Sequence, residues 1–403
     1  MLSLGFHRAG QQRSETEWST PRRIERCRSL TSFITSVLLF TSPIMSAIHF
    51  EPVVVIGLMS GTSADGIDAA LIRTDGTQSF EFIDSLTTPY EDDLRTQLID
   101  MAQNDVPMAE ILRLERTLTE QHVQACQTLL GQHGDLTPQL VGFHGHTIRH
   151  DAERRLTWQI GDPSILADAI RCPVVSDFRR RDIAAGGQGA PLAPLFHQFL
   201  LSEQQRPTAV LNLGGVANVT WLGDDGKILA GDVGPGCGLL DAWIFERTGQ
   251  PYDHSGRIAA RGQVHDEVVR QTLDQSFFKQ ALPKSADRYQ FLRVGVDQLS
   301  VEDGAATLCA ITAGAVGQAS SQMPSRPSTL WVTGGGARNP ILMEMLGRHF
   351  DKVASIEQLG WRADSLEAEC FGWLAVRRLR GLPTTVPSTT GCQRPTCGGT
   401  LTS

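Results

Sequence analysis

The sequence has no C-x-x-C pair, although it carries eight cysteines, at 27, 126, 172, 237, 309, 370, 392 and 397. That excludes a zinc knuckle or a dithiol redox motif by spacing, and the isolated thiols suit a reducing compartment. No concentrated basic face is present: 36 basic against 44 acidic side chains give a net charge of −8, the wrong balance for a nucleic-acid binder. Long apolar runs are missing too. The stretch Phe33–Phe40 is short and interrupted by serine and threonine, so a membrane span is not expected. Neither G-x-x-x-x-G-K-[ST] nor a G-x-G-x-x-G following a strand occurs. A P-loop and a dinucleotide fingerprint are thereby excluded.

What is present points to a loop-rich α/β enzyme. The 403 residues suit two domains, the 41% apolar fraction supplies cores, and 39 glycines supply tight turns. Residues 1–44 stand apart, with six arginines against three glutamates, a net +3 that leaves −11 for the remainder. Residues 30–48 have the outline of a signal peptide. Residues 1–48 are read as a non-conforming extension, a disordered tail or a misassigned start with Met45 as the initiator, the last being favoured. Two lobes are expected after it, 49–205 and 206–403.

The run 53–60 is apolar without alternation, as in a strand buried on both faces. It enters the turn Gly61, Thr62, Ser63, Ala64, Asp65, Gly66 and returns through Ile67 and Asp68 as a second strand, 68–74. Residues 90–133 have helical period, and 139–143 and 171–176 read as short strands. The pattern then restarts: strand 208–213, a turn at Gly214 and Gly215, and a return at 219–222. A third strand, 329–333, runs into Gly334, Gly335, Gly336 and Asn339. Helices are expected at about 340–349 and 364–380, the latter capped by Asp364 or Ser365. Glycine turns leaving buried strands can aim several backbone N–H groups at a phosphate. Each turn alone is better explained by a structural hairpin. Three of them across two related halves predict a two-lobed ATPase fold of the actin and hexokinase type, with ATP in the interlobe cleft.

Seven blocks carry a closer likeness: GLMSGTSADGID (57–68), HGHTIRH (144–150), WQIGDPSILA (158–167), DFRRRDIAAGGQGAPLAPLFH (177–197), NLGGVANV (212–219), GDVGPGCGLLDAW (231–243) and VTGGGARN (332–339). In order and spacing they resemble the anhydro-N-acetylmuramic acid kinases, over about residues 53–380. The resemblance implies a cytoplasmic enzyme, a homodimer, that uses ATP, Mg²⁺ and water. It would open the 1,6-anhydro ring of anhydro-N-acetylmuramic acid and phosphorylate O6, giving N-acetylmuramic acid 6-phosphate in cell-wall recycling. An ordinary amino-sugar or hexose kinase of the same superfamily, and a non-catalytic ATP-dependent binding module, are the alternatives.

Opening an internal acetal with water needs a carboxylate to take the water's proton. O6, as it leaves the anomeric carbon, can attack the γ-phosphate, so no second carboxylate is needed, in contrast to ordinary glycosidases. Asp232, among glycines and a proline, is the candidate base; taken alone it would read as a turn aspartate. Gly61 to Asp68, Gly214, Gly215, Gly334 to Gly336 and Asn339 are the ATP-facing candidates. Asp65 is the candidate for a Mg²⁺ contact through water. By the family pattern, Arg181 is chosen from Arg179–Arg181 to bind the sugar's lactyl carboxylate, and His144, Gln188 and Glu367 are further sugar-side candidates. His146 and Cys237 stand where relatives tend to have glutamine and asparagine.

Overall fold

The computed structural model describes residues 50–286, 291 and 295–403. The extension expected at 1–48 lies outside the described residues.

Strand β1 (Val53–Ser60) is the unalternating apolar run, and all but its first residue are buried. It pairs antiparallel with β2 (Gly66–Thr74), and β2 pairs antiparallel with β3 (Phe80–Pro89). Helices α1 (Asp92–Gln103) and α2 (Met108–Gly131) occupy the helical stretch. They are separated at Pro107, which cannot continue a preceding helix. Strand β4 (Leu140–Asp151) lies parallel to β1 and turns back as β5 (Leu156–Ile160). After α3 (Pro163–Ile170), β6 (Val174–Ser176) pairs parallel with β4. Helices α4 (Arg180–Ala184) and α5 (Pro194–Leu200) lead out of this sheet.

The second sheet repeats the plan. Strands β7 (Thr208–Leu213), β8 (Ala217–Leu222) and β9 (Ile228–Gly234) form an antiparallel meander. Helices α6 (Gly238–Thr248), α7 (Asp266–Leu273), α8 (Ser276–Lys279) and α9 (Val301–Ser320) follow. The Ser300 side chain accepts from the Asp303 amide and caps α9, a contribution of about 1 kcal/mol. Strand β10 (Leu330–Thr333) then pairs parallel with β7, and, after α10 (Pro340–Gly347), β11 (Val353–Ser355) pairs parallel with β10. The orders β3-β2-β1-β4-β6 and β9-β8-β7-β10-β11 are the same topology twice.

The chain then returns. Helix α11 (Leu366–Leu379) lies across β1, β2 and β4, and, past α12 (Pro387–Thr390), β12 (Thr400–Thr402) adds antiparallel to β6. The sequence reading, which ran the second lobe to 403, contains no signal for this return. Glycine permits the close packing of α11: a Cβ on Gly57 would fall 1.8 Å from the Ala368 carbonyl oxygen, and one on Gly142 2.2 Å from that of Phe371. Val55 and Ala70 of the first sheet, Val210 and Leu222 of the second, and Phe196 and Leu374 of the helices share one buried core. Burial of the larger aliphatic and Phe side chains contributes roughly 1.5–3 kcal/mol each. Among the described residues no helix is long and apolar enough to cross a membrane.

Candidate active site

Asp232 lies on β9, opposite Asn218 of β8. Its amide donates to the Lys284 carbonyl at 2.8 Å, and its Oδ2 accepts from the Ala286 amide at 2.8 Å. The segment after α8 thus holds both its backbone and its carboxylate. Burial pushes the carboxyl up to about 7, against the pull of the Ala286 amide and of two facing cations, Arg179 and Lys284. The Lys284 ammonium donates to the carbonyls of Phe277 (2.8 Å) and Gln280 (3.0 Å). Burial brings it down to about 8, with Asp232 opposing.

Arg179, not Arg181, is the arginine that faces these acids. Arg180 and Arg181 begin α4 and are exposed, whereas Arg179 is the residue before the helix and feels the charges of Glu367, Asp232 and Asp182. Its Nε and Nη2 donate to His144 Nε2 (3.1 and 2.9 Å), and Nη1 donates to the Gly189 carbonyl (2.8 Å). A guanidinium has five N–H donors. These three contacts hold the plane and leave two N–H groups without a partner among the described residues. His144 Nδ1 donates to the Gly145 carbonyl at 2.8 Å. Both ring nitrogens are therefore engaged, and burial, with Arg179 beside it, holds the imidazole well below its usual pKa. His144 is a brace for Arg179 rather than a free sugar contact.

Glu367, in the first turn of α11, accepts from Asn212 Nδ2 of β7 at 3.0 Å, so the helix that covers the first sheet is joined here to a strand of the second. Burial raises its pKa, as does the charge of Asp68, against Arg179 and Asn212. Asp68 accepts from Thr87 Oγ1 at 2.7 Å. Burial pushes it up to about 6; Thr87 opposes this, and Asp364 and Asp65 push it further up. Asp232, Arg179, Glu367 and Asp68 thus form one interacting set of charges between the sheets.

The glycine turns flank this set. In the first, the Ala64 amide donates to the Gly61 carbonyl at 3.0 Å, and Ala64 takes a left-handed conformation with φ 54°. Ala64 and Ile67 are buried in the core beneath the turn, and Thr62 and Asp65 are exposed. Asp65 sits 3.6 Å from Arg95. At Gly214 and Gly215, the carbonyls accept from the amides of Cys237 (2.7 Å) and Gly238 (3.1 Å). Thr312 of α9 holds the same block by donating to the carbonyls of Pro235 (2.9 Å) and Gly236 (2.8 Å). In the third turn, Gly334 is the position that demands glycine. Its φ is +80°, and a Cβ there would lie 2.5 Å from Asn212 Oδ1. Gly335 has open space around it, and Gly336 approaches Leu213 and Cys237. Asn339 is buried and caps α10, its Oδ1 accepting from the amides of Ile341 (3.1 Å) and Leu342 (3.2 Å). Its side-chain oxygen is thus engaged by the helix. Gln188 donates from Nε2 to the Pro283 carbonyl at 3.2 Å, which joins its loop to the segment cradling Asp232.

Sequence reasoning missed Asn212, Lys284 and the role of Arg179. Asn212 stands in the family-like stretch 212–219, two residues before a glycine pair, the one available signal. Among the described residues no group of three or more His, Cys, Asp or Glu is placed to hold a metal by itself. The seven described cysteines are free. His146 Nδ1 lies 2.8 Å from Ser60 Oγ, and burial holds the ring down to about 4.

The family model described as anhydro-N-acetylmuramic acid kinase matches residues 53–403. An anhydro-N-acetylmuramic acid kinase of Gluconobacter oxydans is 48% identical over 356 residues, covering 85% of this chain and 98% of that protein. One from Acidiphilium cryptum is 48% identical over 354 residues, covering 86% of this chain and 97% of that protein. A glucokinase of Streptomyces griseus, solved with glucose and AMPPNP, overlaps 80% of this chain and 99% of its own at TM-score 0.40 and 12% identity; a likeness that faint decides nothing. Matched along both sheets and nearly half identical to relatives over almost their full length, the chain belongs to the anhydro-N-acetylmuramic acid kinase family.

Proposed function

We infer that this chain is an ATP-dependent kinase that opens the 1,6-anhydro ring of anhydro-N-acetylmuramic acid with water and phosphorylates O6. The product is N-acetylmuramic acid 6-phosphate, made during cell-wall recycling. The observation that carries this reading is Asp232: a buried acid raised to about 7, held by two backbone contacts and faced by two cations, in a chain of this family. A base for water needs a pKa near the working pH and a fixed direction. Asp232 takes the proton of the water that adds to the anomeric carbon. The bond from that carbon to O6 breaks, and O6 attacks the γ-phosphorus as the bond to the ADP oxygen breaks. The phosphoryl group takes the place a proton would have filled. Arg179 presents its two remaining N–H groups to the lactyl carboxylate, a pairing suited to a guanidinium fork.

Backbone N–H groups of the turns at 61–66, 214–215 and 334–336 are assigned to the nucleotide. The charges fit a divalent cation. Asp68 is close enough to Glu367 for its charge to raise the Glu367 pKa, and among the described residues no basic group pairs with Asp68. Mg²⁺ prefers few carboxylates together with water and phosphate oxygens. Asp68 and Glu367 would hold it through water, in place of the exposed, Arg95-paired Asp65. When bound, the ion would neutralise charge on the phosphates. A homodimer and a cytoplasmic location, where ATP is supplied, belong to the same proposal.

The test is ADP release with anhydro-N-acetylmuramic acid and with N-acetylmuramic acid, side by side, in ¹⁸O-water. Label at the anomeric carbon and ADP in equal amounts support the reading. Turnover of the free reducing sugar alone would assign an ordinary amino-sugar kinase.

A further inference from the structure

Asp182 is completely buried, a placement that costs several kcal/mol unless the charge is fully bonded. Its carboxylate has three donors. Oδ1 accepts from the hydroxyls of Thr385 and Thr390, and Oδ2 accepts from the Gly189 amide at 2.8 Å. Two of these donors come from the C-terminal segment, about 200 residues further along the chain. That segment grips the loop 184–191 at two more points. The Gln188 amide donates to the Thr390 carbonyl at 2.8 Å, and the Gln393 amide donates to the Ala185 carbonyl at 2.9 Å. The loop has no slack beneath it: a Cβ on Gly187 would lie 2.2 Å from Asp182 Oδ2 and 2.9 Å from Cys392 Cβ. Gly189 is thus tied at both ends, its N–H to Asp182 and its carbonyl to Arg179 Nη1.

We propose that Asp182, with Thr385 and Thr390, is a positioning residue for sugar binding: through Gly189 it fixes the direction in which Arg179 offers its free N–H groups to the substrate carboxylate. The C-terminal segment is therefore part of the sugar site although it need not touch the sugar. This rests on the assignment of Arg179 to the lactyl carboxylate.

Calorimetry on the full chain decides it, with anhydro-N-acetylmuramic acid and a non-hydrolysable ATP analogue as separate probes. Thr390→Val keeps the shape and removes one hydroxyl. Its Kd for the sugar should rise about tenfold, the size of one hydrogen bond to a charged group, with the Kd for the nucleotide within about twofold of wild type. Thr390→Ser should restore the sugar Kd. Asp182→Asn should weaken the sugar further; should it not fold, Thr390→Val still carries the test. Unchanged sugar affinity in Thr390→Val, or equal losses for sugar and nucleotide, overturns the positioning role. Arg179→Lys, measured alongside, separates the two ideas. If it leaves sugar affinity intact, the assignment of Arg179 fails. If it weakens the sugar while Thr390→Val does not, only the positioning role fails.

Discussion

Each sheet places one acid in this set of charges, from a different strand of its meander. In the first sheet, Asp68 of β2 pairs in register with Thr87 of β3; in the second, Asn218 of β8 pairs with Asp232 of β9. Both acids are raised by burial, to about 6 and about 7. Their surroundings have opposite sign. Arg179 and Lys284 face Asp232, whereas Asp364 and Asp65 are the charges that act on Asp68. A buried acid faced by cations keeps access to its ionised form and can take a proton. One surrounded by anions lacks a counter-charge and suits a cation arriving with the phosphates. On the proposed reading, it is local charge, not burial, that divides the work between the two acids.

The hardest test of that division is Asp232→Asn. The amide keeps size and a hydrogen bond but cannot accept the water's proton. The kcat should fall about 10²–10⁴-fold, with ring opening and phosphorylation lost together and both ligands still bound. A variant that phosphorylates the anhydro sugar at near wild-type rate would remove Asp232 from the role of base. Asp68→Asn should be milder and of a different kind. The Mg²⁺ concentration giving half-maximal activity should rise about 10- to 100-fold, with kcat largely recovered at saturating Mg²⁺. The same Mg²⁺ titration on the Asp232 variant should give an unshifted midpoint. Matching shifts in the two variants would erase the distinction between the acids.

Much of this comparison was legible before any coordinates. The unalternating runs at 53–60 and 208–213 are strands because both faces are covered, and their glycine turns marked the duplication. Asp232 stood out through the family-like block around it; its glycine and proline neighbours alone would read as a turn. The misses share a physical cause, that they depend on contacts distant in sequence. Three consecutive arginines look alike until the start of α4 leaves Arg180 and Arg181 exposed and Arg179 against His144. The helix from about 340 was expected, but not that the Asn339 side chain caps it. Strand β3 is an edge strand with no fully buried residue, so its hydrophobic signal is weak. The close seat of α11 on the first sheet depends on space at Gly57 and Gly142, and β12 pairs with β6 more than 200 residues before it; no local pattern records either.

The pH profile probes the cationic side of the comparison. With Asp232 at about 7, the ionised base is depleted below that pH. The kcat/KM for the anhydro sugar should drop about tenfold per unit on the acid side and level off above pH 8. A profile flat from pH 5.5 to 8 would mean that no group titrating near 7 is needed as a base.

The smallest effect is expected from Lys284→Met, and it sharpens the contrast by making the surroundings of Asp232 more like those of Asp68. The variant keeps an apolar side chain of similar length but leaves Arg179 as the one facing cation among the described residues. The carboxyl should then rise above 7, so that more of it is protonated at neutral pH. At pH 7 kcat/KM should fall about three- to tenfold. The sign of the pH dependence distinguishes charge from packing. Lys284 itself loses its proton above about 8, so at pH 9 the wild type also lacks this cation while Asp232 is ionised in both proteins. The two kcat/KM values should converge there. A loss of the same size from pH 6.5 to 9 would instead show that Lys284 acts by holding the segment after α8, whose backbone grips Asp232, and that its charge contributes nothing to the ionisation of the base.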